Sequence, residues 1–126
     1  MRLIARAVTA IRARKVRPVL TALMVSGRAG SGIAAELGAD VQVEATLATA
    51  FGCPYEHRVP PRRVVEVAVR CDAFGASAIN LADTIGVGVP DEVRSLVTEV
   101  GQAIDTPVGA HLHDTRGLGI ANALAA

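Results

Sequence analysis

Two histidines spaced two residues apart, His111 and His113 in the run HLHDTRG (111–117), are the side chains of this 126-residue chain best suited to chemistry. On an extended strand alternate side chains project from one face, so these two project together. Two imidazoles on one side, joined by a carboxylate from elsewhere, make a facial arrangement for a divalent metal with open positions. Asp114 follows directly and completes the pattern HxHD. The plainer reading of such a pair is one solvated ring and one ring packed in a core. Two further segments add polar or Gly-rich signatures. INLADTIGVGVP (79–90) sets Asp83 directly after an aliphatic run, where on its own it could simply cap a turn. FGCPYE (51–56) carries Cys53, which has no evident base beside it and reads as an inert thiol rather than a nucleophile.

The elements that must position these residues follow from periodicity. Residues 33–37 read as a helix end stopped at Gly38, and 41–49, rich in Val, Thr and Leu, as a strand. After a loop over 51–59, Pro60 and Pro61 open a helix, proline being tolerated in the first turn. Val64, Val67, Ala68 and Cys71 recur at helical spacing, Phe74 extends that face, and Gly75 is placed to end the helix. The unit repeats: a strand over 76–81, a Gly-containing loop over 83–88, and a helix from Pro90 whose Asp91 and Glu92 sit near its positive end. Val93, Leu96, Val97, Val100 and Ile104 form the buried side of that helix. A third strand over 107–112 leads through a Gly-rich turn into a helix reaching Ala126. Strand starts about 35 and 31 residues apart match consecutive βαβ units. Sites form at the C-terminal ends of such strands, and all three signature segments lie there. Spacing alone does not separate an open sheet from a closed barrel. Because the pattern ends inside a helix and a full (β/α)8 barrel takes about 250 residues, a fragment is expected.

Composition narrows the class. Apolar residues make up 51% of the chain, yet there are only one Tyr and two Phe, so the core must be aliphatic, as in parallel strands buried between helices. No apolar run reaches the length of a membrane span, and two cysteines outside any CxxC pair suggest a reducing compartment. Seven basic and no acidic residues fall within 1–35. This leader lacks the aromatic platform of a nucleic-acid site, and its scarce Ser and its Pro18 fit a mitochondrial transit peptide poorly. The charge break sets a basic segment, 1–32, read as not native to the regular pattern (a truncated start, or codons read in a different frame), apart from a domain over 33–126, where the regular pattern begins.

Taken together, FGCPYE followed by VPP, then ADTIGVG, HLHDTRG and IANALAA resemble, in order and spacing, the hydroxymethylglutaryl-CoA lyase branch of the pyruvate carboxyltransferase-type TIM-barrel family, over roughly 33–126. The resemblance implies an α/β fold, a partial (β/α)8 barrel of about three consecutive βα units. It implies that His111 and His113 are the metal ligands on the seventh barrel strand, with Mg²⁺ or Mn²⁺ as cofactor. Asp83 matches the acidic residue near metal and substrate at the end of the sixth strand, and His111 is the candidate for relaying a proton. The implied reaction cleaves 3-hydroxy-3-methylglutaryl-CoA, or a related 3-hydroxyacyl-CoA, to acetyl-CoA and acetoacetate. Implied partners are an acyl-CoA substrate and, in the full-length form, a second copy in a homodimer, with neither nucleic acid nor membrane. The expected location is the cytoplasm, with the mitochondrial matrix as alternative.

The family's first-strand Arg-Asp pair, whose Asp completes the metal site, has no counterpart here, and the eighth-strand Asn ligand would lie beyond Ala126. Val89 stands where Thr often precedes the helix proline, and Asn80 where some lyases carry Ser. HDT after the histidines favours a lyase over the related condensing synthases (isopropylmalate, homocitrate and citramalate), which more often carry HND. The competing expectations are such a Claisen-condensing synthase and a truncated barrel without catalysis.

Overall fold

The computed structural model describes residues 19–23 and 42–126; the expected helix end at 33–37 lies outside them. Four strands, β1 (Val19–Leu23), β2 (Gln42–Leu47), β3 (Ala78–Asp83) and β4 (Val108–Leu112), form one parallel sheet in chain order. Helices α1 (Pro61–Ala73), α2 (Pro90–Ala103) and α3 (Gly119–Ala125) follow β2, β3 and β4 in turn. The three βα units expected from periodicity are present. The additional strand, β1, lies inside the basic segment 1–32 and pairs with β2 from Val19 opposite Gln42 to Leu23 opposite Thr46. No helix among the described residues is long and apolar enough to cross a membrane.

Proline at the first position of α1 and of α2 starts each helix where a missing N–H costs nothing. The α1 terminus closes as expected at Gly75, whose φ of +81° suits a residue without Cβ. There the Ala76 N–H donates to Cys71 O (3.1 Å) and the Gly75 N–H to Asp72 O (2.8 Å). Phe74, expected to extend the apolar face, is the C-cap and half exposed, and lines one cavity with Val64, Val67 and Cys71 of that face.

One face of the sheet carries the core. Ala45 and Leu47 from β2, and Ile79 and Leu81 from β3, pack against Val64, Ala68 and Cys71 of α1 and Leu96 and Val100 of α2. Full burial of such a side chain contributes about 1.5–3 kcal/mol. The period-2 alternation then sends Glu44, Thr46, Asn80 and His111 to the opposite face. Register reinforces this: Asn80 lies beside Thr46 and Gly109, and Ala82 beside His111. The Asn80 amide donates to the Glu44 carboxylate (3.3 Å), and a Cβ on Gly109 would collide with Asn80 Oδ1, so the glycine makes room for this polar pair. Asp72 at the end of α1 accepts the N–H (3.2 Å) and the hydroxyl of Thr106, tying that helix to the entry of β4.

Candidate functional site

β4 carries His111 one residue before its end, and His113 stands one residue past it. Both rings are exposed at the C-terminal rim of the sheet, as expected. They converge: the two Nε2 atoms are 3.1 Å apart, with ring centroids 5.0 Å apart and the planes steeply inclined at 69°. His113 Nδ1 lies 2.9 Å from the backbone carbonyl of Thr84 in the loop after β3. A carbonyl only accepts, so Nδ1 carries the hydrogen and Nε2 of the neutral ring presents its lone pair toward His111.

This is the arrangement in which a histidine serves as metal ligand, one nitrogen free and the other fixed by a backbone oxygen. Two imidazole nitrogens each about 2.0–2.1 Å from one ion, at ligand angles near 90–110°, stand about 2.8–3.4 Å apart. The observed 3.1 Å falls within that window. Both nitrogens therefore fit a shared cation. Among the described residues no group of three or more His, Cys, Asp or Glu side chains surrounds a common point, so no further side chain of these types joins the pair there.

The structure does not bring the expected acids to this pair. Asp83 is fully buried, and its carboxylate accepts the N–H groups of Val87 (3.0 Å) and Gly88 (2.9 Å). The reason is parity: β3 runs through Asp83, two past the 81 expected, so Asp83 falls on the side of Ile79 and Leu81 and pairs with Leu112. That is the helix-facing side, opposite His111. Asp114 is likewise engaged elsewhere, accepting the Gly119 N–H (2.6 Å) at the start of α3. Cys53 and His57 exchange backbone hydrogen bonds (2.8 and 2.9 Å) that close the FGCPYE loop, in keeping with a structural cysteine. Burial raises the pKa of the Cys71 thiol, against a smaller lowering by Arg70. A cavity of about 540 Å³ is lined by Leu47, Val64, Val67 and Cys71 and also by Thr49 and Thr84, while neither imidazole lines it.

Thr84 and Thr49 are the site residues that the sequence did not reveal. The Thr84 hydroxyl accepts the Thr49 N–H (2.8 Å), while its carbonyl holds His113. The only trace in the sequence is the position of Thr84 directly after Asp83; the contact with His113 depends on the β3–β4 register.

A parallel βα sheet with paired imidazoles at its C-terminal rim is the architecture of a piece of a (β/α) barrel. The chain belongs to the HMGL-like family, whose model matches residues 9–126. It is similar to mitochondrial hydroxymethylglutaryl-CoA lyase of Mus musculus, 40% identical over 89 residues, covering 70% of this chain and 27% of that protein. It is also similar to the cytoplasmic 3-hydroxy-3-methylglutaryl-CoA lyase of the same species, 41% identical over 90 residues, covering 69% and 26%. Among solved structures, an HMG-CoA lyase from Acinetobacter baumannii in complex with coenzyme A and 3-methylmalate superposes with a TM-score of 0.81 at 30% identity, covering 97% of this chain and 44% of that one. The chain thus spans about a quarter of the length of the curated relatives, and its fold is a partial TIM-type barrel.

Proposed function

We propose that this chain forms the metal-binding rim of a divalent-metal-dependent carbon–carbon lyase that cleaves 3-hydroxy-3-methylglutaryl-CoA, or a closely related 3-hydroxyacyl-CoA. The observation that carries this reading is the convergence of His111 and His113 at 3.1 Å, with His113 held as a lone-pair donor by Thr84 O. His111 and His113 would hold the ion, Mg²⁺ or Mn²⁺ in this proposal, with remaining ligands from outside the described residues. When bound, such an ion supplies Lewis acidity that polarises substrate oxygens.

In the proposed cleavage the 3-hydroxyl loses its proton and the C2–C3 bond breaks. The electron pair passes into the thioester enolate, which takes up a proton to become acetyl-CoA, leaving acetoacetate. In this reading His111, exposed at the rim, would also hold and return a proton. Asp83 contributes indirectly in this reading: its two backbone contacts order the loop that presents Thr84. The mouse relatives span mitochondrial and cytoplasmic proteins, and the cytoplasm is the proposed location, with the mitochondrial matrix as alternative.

The test is a product assay on the natural full-length protein carrying this sequence, supplied with 3-hydroxy-3-methylglutaryl-CoA and Mg²⁺ or Mn²⁺. Acetoacetate formation that is abolished by EDTA and by His113→Ala is the expected result. Release of free CoA from acetyl-CoA and a 2-oxo acid, without acetoacetate, would assign the protein to the condensing synthases instead.

A further inference from the structure

We infer that Thr84 is a positioning residue for His113, its hydroxyl fastening the loop after β3 so that its carbonyl fixes which ring nitrogen of His113 carries the hydrogen. The inference rests on His113 being a ligand, but the geometry behind it is independent of any ion. His113 lies past the last residue of β4, so no sheet ladder holds it; besides His111, its ring meets Thr84 O at 2.9 Å. Thr84 in turn lies past the end of β3, and its Oγ1 accepts the Thr49 N–H at 2.8 Å. Thr49 lies past the end of β2 with φ of +58°, a left-handed conformation uncommon for any residue with a Cβ and especially for a β-branched one. In that conformation its hydroxyl donates to Ala48 O (2.6 Å), and the next N–H, of Ala50, donates to Ala82 O (3.0 Å) in β3. Three successive strand ends are thereby linked, β2 to β3 through Thr49 and Thr84, and β3 to β4 through Thr84 and His113. An unusual backbone conformation that persists at a site is a sign that surrounding contacts impose it. Here its N–H points at the hydroxyl that steadies the loop holding the imidazole.

The experiment compares the full chain with Thr84→Val, which keeps the shape and the carbonyl but removes the acceptor, and with Thr84→Ser, which keeps both. Two readouts are used at about pH 8, where unperturbed imidazole is neutral. One is the histidine ring ¹⁵N spectrum, which reports the tautomer of His113; the other is Mn²⁺ affinity by titration. Wild type and Thr84→Ser should show His113 with its hydrogen on Nδ1, while Thr84→Val shows a mixture and binds Mn²⁺ about tenfold more weakly, the lower end of the usual effect for such supporting groups. An Nδ1–H tautomer and wild-type affinity retained in Thr84→Val would overturn the inference. If that variant fails to fold, hydrogen exchange of the Thr49 amide in the wild type decides: slowed exchange supports the link, and free exchange rejects it. A wild type that binds no Mn²⁺ while its tautomer still responds to Thr84→Val would remove the metal reading and leave the positioning role standing.

Discussion

At the scale of single residues, His111 and Asp83 sit on neighbouring strands but on opposite faces, and they should answer substitution in opposite ways. The imidazoles are exposed and bury no apolar surface, so His111→Ala and His113→Ala should change stability by no more than about 0.5 kcal/mol, as surface substitutions usually do. Each should nonetheless remove most Mn²⁺ binding, because two nitrogens on one ion hold it far better than one; isothermal titration checks this. Asp83 behaves in reverse. Its carboxylate is wholly buried and accepts two backbone N–H groups, so Asp83→Ala leaves both amides without a partner. At about 1–3 kcal/mol for each buried unsatisfied group, the loss should be about 2–6 kcal/mol in urea denaturation, with Asp83→Asn milder because one oxygen remains. A stable Asp83→Ala protein that had lost only activity would instead favour a direct chemical role. The histidine pair was legible in the sequence because a two-residue spacing on a strand needs no tertiary information. The direction of Asp83 was hidden behind the position of the strand end: with β3 ended at 81 the aspartate belongs to a loop and is free to point anywhere, but with β3 reaching Asp83 its parity with Ile79 and Leu81 commits it to the core side.

At the scale of elements, the helix boundaries were the most readable part of the chain. Pro61 and Pro90 mark both long helices at their first residue, and the apolar repeat picks out Val64, Ala68 and Cys71 and then Val93, Leu96 and Val100, all of them buried. β1 was not readable, since the five residues Val19–Leu23 sit in a stretch whose basic charge dominates any pattern, and only pairing with β2 defines them as a strand. Termini offer clean tests. Val89 is the N-cap of α2, with extended φ and ψ and no side-chain oxygen to accept a helix N–H. Val89→Thr should therefore stabilise the protein by about 1 kcal/mol, seen as a higher Tm. Gly75 has a φ of +81° and open space where a methyl group would stand, so Gly75→Ala meets no clash and costs only the left-handed conformation, about 1 kcal/mol. A neutral Gly75→Ala would mean that the turn after α1 relaxes into another shape at no cost.

At the scale of the whole molecule, the sheet order among the described residues gives β4 a neighbour on one side only, and the helix packed on it is only partly covered. Ile120 and Leu124 of α3 lie four residues apart, hence on one helix face, and are 78% and 85% exposed. A strand edge with unpaired N–H and C=O groups next to such a face is a template for association with another chain. The two features differ in strength. Covering both side chains would yield about 3–6 kcal/mol at about 1.5–3 kcal/mol each, whereas the net gain of each new backbone hydrogen bond is only about 0.5–1.5 kcal/mol, since water already satisfies those groups. The apolar face should therefore dominate. Light scattering coupled to size exclusion is expected to show concentration-dependent association of this chain, and the double substitution Ile120→Lys, Leu124→Gln should suppress it. Association that persisted undiminished in that variant would transfer the cause to the free edge of β4, and a monodisperse wild-type chain at every concentration would mean that neither surface is sticky enough to matter.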